Sequence, residues 1–288
     1  MSDHLMKSKK LTLMKDLKEQ LKDWYSKDLG ERSTWYSPAA EAYNKVRPRY
    51  PQKLIDRVVE LTQVNPNTRI LEIGCGPGIA TVPFAKLGCS ILCLEPNPDF
   101  CKLAKENCQS YPNVIINNTS FEKWKLEPKT FDIVLGASSF HWIPPEIVYT
   151  KAFASLKDDG YLLLLWNKEL QPDYEVYQNL ANIYQKYDSS LKRYEDRETQ
   201  ENILKQLGEM SIDSGKFETV ITKIFNTKVN YSIDDYLLLL NTYSPYLQLE
   251  KQLKNDLFLD LKKILEKTCG EKIKLSYLSS FHLNKKKF

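Results

Sequence analysis

The fold of this chain is decided by residues Arg69–Gly88, RILEIGCGPGIATVPFAKLG. The stretch opens with a short apolar run, residues 70–73, that has the pattern of a buried strand. Three glycines then alternate with other residues, at positions 74, 76 and 78. From residue 79 to residue 87 the pattern is helical, and Gly88 follows as a helix C-cap. A strand, a glycine turn and a helix N-terminus present free N–H groups to a polar ligand at the carboxyl edge of a sheet.

The spacing of the glycines distinguishes between two kinds of nucleotide ligand. A dinucleotide-binding turn, G-x-G-x-x-G, would place its third glycine at position 79, which is Ile79. The chain carries Glu72-x-Gly74-x-Gly76-x-Gly78 instead, and the acidic Glu95 ends the next apolar run, residues 90–94. An acid at the tip of the second strand, roughly 20 residues past the glycine turn, suits the diol of a ribose.

This spacing resembles motifs I and II of the class I S-adenosylmethionine (SAM)-dependent methyltransferases. The resemblance implies that SAM is the cofactor and that the glycines pass beside its methionyl-ribosyl part. It also implies that the acid of the second strand holds the ribose hydroxyls. The residues that would form this cofactor shell are Glu72, Gly74, Gly76, Gly78, Glu95 and Asn97.

The adenine would lie against residues 118–121, which follow the third predicted strand, Val114–Ile116. Relatives often carry an acid near this point that accepts a hydrogen bond from the adenine amino group. Thr119 occupies that position here. We therefore expect backbone groups of Ser120 and Phe121 to contact the adenine edge, with Thr119 beside them.

A second resemblance lies upstream, in Tyr43, Arg47-Pro48 and Tyr50-Pro51. It is similar to a Y…RP-x-YP segment that crosses the top of the cofactor pocket in a branch of these methyltransferases. The planar fork of an arginine can hold a carboxylate through two hydrogen bonds, so Arg47 is a candidate for the SAM carboxylate. An ion pair between Arg47 and a surface acid explains the residue equally well.

The fourth predicted strand, Phe131–Gly136, leads into Ala137-Ser138-Ser139-Phe140-His141-Trp142. The stretch resembles motif IV, and its Phe-His-Trp form is typical of the trans-aconitate methyltransferase-like, small-molecule branch. We assign Ala137 and Ser138 to the cofactor, and Phe140, His141 and Trp142 to the acceptor substrate. His141 is a candidate base near neutral pH, or a group that only orients a carboxylate acceptor. A purely structural histidine is the alternative.

Strands and helices alternate through the central part of the chain, which is typical of a parallel, doubly wound sheet. Together with the resemblance, this predicts an α/β, Rossmann-like, seven-stranded, mostly parallel sheet with an α-helical cap. The fifth strand is expected at Tyr161–Trp166 after a turn at Lys157–Gly160, the sixth within Phe217–Tyr231, and an antiparallel seventh within Lys274–Leu283.

Three regions follow from this assignment: an N-terminal helical segment, residues 1–45, the SAM-binding core, 46–170, and a C-terminal part, 171–288, with a helical insertion near 232–270. An apolar stripe from Leu11 to Tyr25 predicts a helix that ends at Gly30. This helix and the insertion are the two candidates for a lid. Tyr243 and Tyr246 of the insertion are candidate acceptor contacts, although tyrosines at such spacing often only pack.

Composition excludes several functional classes. The chain has 41 basic and 37 acidic residues, interspersed except for Lys285–Lys287, so it lacks the clustered charge of a nucleic-acid binder. Its apolar runs are too short to span a bilayer, and we find no signal peptide. Six cysteines without a C-x-x-C pair predict no metal site. Cysteines within predicted strands and helices favour buried thiols and a cytoplasmic location.

The sequence therefore predicts a SAM-dependent methyltransferase that acts on an oxygen or nitrogen of a small organic acceptor and releases S-adenosylhomocysteine (SAH). A carboxylate is the first acceptor to consider, by analogy alone. One alternative is a methyltransferase that acts on a peptide or RNA, and a more distant one is a nicotinamide-dependent oxidoreductase. The sequence does not determine the oligomeric state.

Overall fold

A computed structural model describes residues 24–288 of the chain. Its centre is a single sheet of eight strands: β1 (Arg69–Ile73), β2 (Ser90–Leu94), β3 (Val114–Asn117), β4 (Phe131–Ala137), β5 (Leu156–Asn167), β6 (Gln171–Pro172), β7 (Phe217–Ser232) and β8 (Lys272–Lys286). Strands β1 to β5 pair in parallel, in the order β3-β2-β1-β4-β5. Strand β8 runs antiparallel to β5 and β7. The α/β, mostly parallel, Rossmann-like prediction is confirmed.

The eighth strand is a small addition to the seven that were predicted. Strand β6 has only two residues, and it pairs with β8 just beyond the end of β5 on the same edge. Strand β7 pairs with the other edge of β8 along its whole length. The last strand is antiparallel, as predicted, and the structure places it between β5 and β7.

The order of the strands determines where a ligand can bind. The chain runs outward from β1 through β2 to β3, and then returns to the other side of β1 to form β4 and β5. In open parallel sheets, ligands bind at the carboxyl ends of the strands where this reversal takes place. That point lies between β1 and β4, directly above the glycine turn.

Helices cover both faces of the sheet: Gln52–Thr62, Thr81–Ala85 and Pro98–Asn107 in the first half, and Pro145–Ser155 and Arg197–Asp213 later. Successive strand residues point to opposite faces, and the central strands are continuous apolar runs, so both faces of the sheet are apolar. Ile133 and Leu135 of β4 pack on one side with Leu54, whereas Val134 packs on the other with Leu204. Two hydrophobic layers therefore enclose the sheet.

A third apolar cluster forms a cap apart from these layers. It joins the helices Tyr174–Tyr187, Ile233–Leu240 and Lys251–Cys269 through residues such as Tyr184, Tyr236 and Leu261. The predicted insertion is helical, but it consists of three helices, because the short helix Ser244–Leu247 lies between the two longer ones. Pro245 lies at the start of that short helix, where its missing N–H costs nothing.

Two predicted boundaries differ from the structure, and one prediction lies outside it. Gly30 does not end a helix but lies inside Leu29–Thr34, because Asp28 caps that helix by accepting a bond from the Glu31 amide. Lys157–Gly160 is not a turn between elements but part of β5, where Phe131 pairs with Leu156 and Ile133 with Tyr161, so the residues between bulge out. The apolar stripe before Trp24 lies outside the described residues.

Single elements supply one confirmed expectation and one helix that was not predicted. The cysteines at 89, 93, 101 and 108 are buried. A helix over Ala40–Val46, which the sequence does not predict, precedes an extended stretch at Arg47–Pro51. Within residues 24–288, no helix combines the length and apolar character needed to pass through a bilayer.

Candidate active site

A cavity of about 490 Å³ opens at the carboxyl ends of β1, β2, β4 and β5. Sites for small ligands usually enclose about 300–1,000 Å³. One end is lined by the glycine turn and by residues after β2 and β3, including Gly76, Glu95 and Ser120. The other end is lined by residues after β5 and by the cap, including Glu169 and Tyr243. We call these the glycine end and the acceptor end.

The glycine turn adopts the left-handed conformation at all three of its glycines, with φ of 66° at Gly74, 55° at Gly76 and 87° at Gly78. A Cβ added to Gly74 would lie 2.8 Å from Cβ of Ser139, so this glycine is required by packing. A Cβ added to Gly76 would meet no atom of residues 24–288 within 4 Å. Gly76 therefore presents bare backbone to the open cavity, and Gly78 lies behind it, outside the lining.

Glu95 joins the glycine turn to the end of β2. One carboxylate oxygen accepts from the Gly76 amide at 2.7 Å, and the other accepts from the Asn97 amide at 2.9 Å. Burial raises the pKa of Glu95 to about 7, while the two amide bonds act in the opposite direction. Asn97 in turn caps the helix Pro98–Asn107 through the amides of Asp99 and Phe100. Each carboxylate oxygen keeps a lone pair for a hydroxyl.

Glu72, which the sequence assigns to the cofactor shell, does not line the cavity. Its side chain is fully buried inside the sheet, where one oxygen accepts from the Thr81 hydroxyl at 2.7 Å. Burial raises the pKa of this carboxyl to about 7, and the bonds from Thr81 and Cys93 oppose the shift. Glu72 thus joins β1 to the helix Thr81–Ala85 and to β2.

The residues at the predicted adenine position divide into two groups. Ser120 and Phe121 line the cavity, whereas Asn118 and Thr119 do not. Asn118 instead donates to the carbonyls of Glu95 and Pro96, which holds the loop after β3 against the loop after β2. Lys151 fixes the same loop from below by donating to the carbonyls of Phe121, Glu122 and Trp124.

Arg47 lines the acceptor end of the cavity and makes no ion pair with an acid among residues 24–288. Its Nε donates to the Thr242 hydroxyl at 2.8 Å, and one Nη donates to the Thr242 carbonyl at 2.7 Å. The guanidinium lies between the rings of Tyr43 and Tyr243, 4.7 Å and 4.3 Å from their centroids. Its second Nη takes part in no hydrogen bond among residues 24–288, and it can bind a ligand.

Some residues of the loop after β4 line the cavity, and others pack beneath it. Ala137, Ser138, His141 and Trp142 line the cavity. Phe140 does not, because its ring packs against Gly136, where no side chain would fit. The His141 ring lies 4.4 Å from the ring of Trp142 and 5.3 Å from that of Trp166.

His141 is poorly suited to act as a base in this environment. Burial lowers its pKa to about 3, and the nearby Lys168 adds to the shift. Its Nδ1 is buried without a hydrogen-bond partner among residues 24–288. A histidine with so low a pKa stays neutral at physiological pH and takes up a proton only weakly.

The segment from Trp24 to Ser37 forms one wall of the cavity, here called the cover. Trp24 and Arg32 both donate to the Trp142 carbonyl, at 3.2 Å and 2.9 Å, and Tyr25 donates to the carbonyl of His141. Arg32 also contacts Glu122 at 3.3 Å, with both side chains largely buried. The cover therefore joins the loops after β3 and β4. No local sequence signal identifies Arg32 for this role.

Hydroxyl contacts join the cover to the insertion as well. Trp35 and Tyr36 both lie within hydrogen-bond distance of the Ser244 hydroxyl. Tyr243 lines the cavity, and its hydroxyl accepts from the Leu170 amide at 3.2 Å. Tyr246 faces away from the main cavity and donates to the Tyr184 hydroxyl at 2.9 Å. The two predicted acceptor tyrosines are thus separated.

Among residues 24–288, four charged residues line the acceptor end: Arg47, Lys168, Glu169 and Arg193. The sequence singles out only Arg47. Lys168 makes an ion pair with Glu195 at 2.9 Å. Lys168 and Glu169 directly follow β5, so the rule that ligands bind at carboxyl ends of parallel strands could have identified them. Arg193 lies between two helices, and no sequence pattern marks it.

Comparison with known proteins identifies the central part of the chain. A family model described as a methyltransferase domain matches residues 71–164. An uncharacterized methyltransferase of Schizosaccharomyces pombe is 25% identical over 225 residues, which cover 78% of this chain and 84% of that protein. A probable S-adenosylmethionine-dependent methyltransferase of Saccharomyces cerevisiae is 26% identical over 64% of this chain and 65% of its own length.

The fold has solved counterparts too. The structure of a putative type II methyltransferase from Anaeromyxobacter dehalogenans superposes with a TM-score of 0.62 at 18% identity. The match covers 82% of this chain and 97% of the other. At this level of identity the likeness is one of fold, and it extends well beyond residues 71–164.

Proposed function

We propose that this chain, a class I SAM-dependent methyltransferase, transfers the methyl group to an oxygen or nitrogen of a small organic acceptor. The enzyme class and SAM as its cofactor follow from the matched methyltransferase domain and the named relatives. The acceptor and the residues that bind each ligand are our inference from the cavity. The comparisons do not favour a peptide, an RNA or a nicotinamide cofactor.

The observation that carries the proposal is the pairing of Gly76 with Glu95. The Gly76 amide is bonded to the Glu95 carboxylate, and its α-carbon faces open space where a side chain would intrude. This combination suits a ligand that must touch backbone and offer hydroxyls to an acid, as the ribose and methionyl parts of SAM do. The residues present therefore fit the cofactor.

We assign the rest of the glycine end by the same reasoning. Ser120 and Phe121 would contact the adenine, and Ala137 and Ser138 would face the sulfonium. The unpaired Nη of Arg47 would bind the SAM carboxylate if the methionyl part of the cofactor extends toward Tyr43. This role remains a prediction. SAM supplies an electrophilic methyl group. The protein's part is to orient the acceptor and exclude water, and orientation can account for about 7–11 kcal/mol of such a barrier.

A small acceptor fits the remaining space. The acceptor end is bounded by the cover on one side and by the insertion on the other, through Arg32, Trp142 and Ser244. We infer that this bounded space suits a small molecule better than a peptide or RNA, which would need a longer groove. Membership of the trans-aconitate methyltransferase-like branch, and with it a carboxylate acceptor, remains a prediction from the motif at Phe140–Trp142.

The cofactor assignment is tested by calorimetric titration of a Gly76→Val variant with SAH. We expect micromolar binding by the unchanged protein and at least a 100-fold loss in the variant, because the branched side chain would occupy the space that the ligand needs. Gly215→Val is the matched control. Gly215 also has positive φ, 73°, and no atom of residues 24–288 within 4 Å of an added Cβ, but it lies outside the cavity lining. Equal SAH affinity in the two variants would refute the assignment.

A further inference from the structure

Glu169 lies where the main cavity meets a second, smaller one. It follows β5, two residues after that strand ends at Asn167. Five residues line both cavities: Glu169, Leu170, Arg193, Tyr243 and Pro245. The second cavity measures about 40 Å³, a volume that holds about one water molecule or one small polar group. Glu169 is therefore within reach of an acceptor in the main cavity.

In the described part of the chain, three carboxylates line the main cavity, and two of them are already bonded. Glu95 accepts from the amides of Gly76 and Asn97, and Glu122 is paired with Arg32. The Glu169 carboxylate has no hydrogen-bond or ion-pair partner within residues 24–288. Glu169 is only partly buried, so its carboxylate oxygens are open to the cavity and can accept a hydrogen bond from a ligand that supplies a donor.

The cations around Glu169 are committed to other groups or lie farther out. Lys168 is paired with Glu195, and Arg47 gives two of its donor nitrogens to Thr242. Arg193 is exposed at the rim of the cavity. These cations contribute positive charge near Glu169, but none of them makes an ion pair with its carboxylate.

We propose that Glu169 accepts a hydrogen bond from the hydroxyl of an aromatic acceptor and takes up its proton during methyl transfer. This inference rests on the function proposed above and narrows its acceptor to a phenol-like hydroxyl. In the step, the hydroxyl oxygen forms a bond to the methyl carbon and the carbon–sulfur bond breaks with its electron pair on sulfur. The hydroxyl proton passes to Glu169.

An aromatic acceptor is favoured by the walls of the cavity. Rings of Tyr36, Tyr43, Trp142, Trp166 and Tyr243 line it. Ring pairs in offset or edge-to-face contact add attraction beyond the area they bury. A flat ring held between such walls can direct one substituent toward Glu169.

A hydroxyl is favoured over an ammonium or a carboxylate by the charges at the acceptor end. The unpaired Nη of Arg47 and the guanidinium of Arg193 would offset the attraction of Glu169 for an ammonium group, whereas they would stabilise the negative charge that develops on a hydroxyl oxygen as it loses its proton. A carboxylate acceptor would leave Glu169 without a donor and would bring a second anion beside it. His141 does not compete for the proton, because its pKa is low.

The protonation of Glu169 depends on groups from several elements. Burial raises its pKa; Lys168 lowers it, Glu195 raises it, and Arg47 and Arg193 lower it. The tyrosines at 36, 184, 236, 243 and 246 also lie within its field. Because the ionised form accepts the hydrogen bond, affinity for a hydroxyl should fall as the pH drops through this raised pKa.

The test compares three probes that share one ring: phenol, benzoate and benzylamine. Each is titrated by ligand-observed NMR into protein that is saturated with SAH, and the phenol titration is repeated from pH 5 to pH 8. We expect phenol to bind at least tenfold more tightly than benzoate or benzylamine, and to lose affinity toward pH 5. In Glu169→Gln, phenol affinity should fall at least tenfold and lose its pH dependence.

Glu201→Gln, an equally conservative change on an exposed ion pair, should leave all three affinities unchanged. Tighter binding of benzoate or benzylamine than of phenol would overturn the inference, as would unchanged phenol binding by Glu169→Gln. SAH affinity is measured in the same samples. Failure of SAH to bind would refute the proposed function, whereas normal SAH binding without a preference for phenol would refute only the role of Glu169.

Discussion

The glycine end and the acceptor end of the cavity are built in different ways. At the glycine end, the backbone of the glycine turn and one acid, all within residues 74–97, line the cavity. At the acceptor end, Arg47, Glu169 and Tyr243 come from segments that are far apart in the chain. A ligand common to a whole enzyme class can be bound by one local motif, whereas the acceptor chamber depends on side chains that packing brings together.

The largest difference between the two ends is expected from a change at Glu95. In Glu95→Gln, the side-chain nitrogen would face one of two backbone amides, so a buried N–H group loses its acceptor and the ribose loses part of its site. We expect SAH affinity to fall about 100-fold, or about 2.7 kcal/mol, in a calorimetric titration. Phenol binding at the acceptor end should change less than threefold.

Glu106→Gln on the exposed face of the helix Pro98–Asn107 is the control for this variant. It should bind SAH like the unchanged protein. If Glu95→Gln and Glu106→Gln bind SAH equally well, the acid after β2 does not contact the cofactor, and the description of the glycine end is wrong.

A smaller effect is expected from the cover, which touches both ends. Arg32→Met keeps the apolar stem but removes the bonds to the Trp142 carbonyl and to Glu122. We expect SAH to dissociate about fivefold faster in stopped-flow measurements, which corresponds to about 1 kcal/mol. Arg57→Met, which removes an exposed ion pair to Glu60, is the control. Equal dissociation rates in the two variants would exclude a closing role for the cover.

The sequence predicts the glycine end better than the acceptor end for a physical reason. Gly74, Gly76 and Glu95 act through turn geometry and strand ends, and both leave a local pattern. Arg32 and Trp24 act through contacts with residues more than 100 positions away, such as Trp142, and such contacts have no local pattern. Most of the strands were predictable because alternation of apolar runs with helices is also a local property, whereas their order in the sheet was not predicted.

Glu72 shows where a local pattern can mislead. It belongs to the motif by spacing, yet it lies within β1, where its side chain enters the packed layer beside Thr81 and Cys93. Phe140 is similar, since its neighbour Trp142 lines the cavity while its own ring fills the space above Gly136. Membership of a motif identifies the region of a site, but packing decides which side chains reach the ligand.

The smallest expected effect on SAH binding therefore belongs to Glu72→Gln, which should leave SAH affinity within threefold. The variant should instead change the pH dependence of stability. Folding raises the pKa of Glu72 from about 4.3 to about 7, so the folded chain binds the additional proton and stability falls as pH rises through this window.

Because glutamine does not ionise, the melting temperature of Glu72→Gln relative to the unchanged protein should rise between pH 5 and pH 8 by about 2 °C or more. Differential scanning calorimetry at the two pH values measures this difference. A constant difference, or a loss of SAH affinity as large as that of Glu95→Gln, would mean that Glu72 faces the ligand after all.

The central claim is that the glycine end binds SAM and not a dinucleotide. Calorimetric titration of the full chain with SAH, with NAD and NADP in parallel, tests it most directly. The structure and the relatives predict micromolar binding of SAH and no heat with either dinucleotide. Binding of NAD or NADP, or the absence of SAH binding by folded protein, would contradict the account.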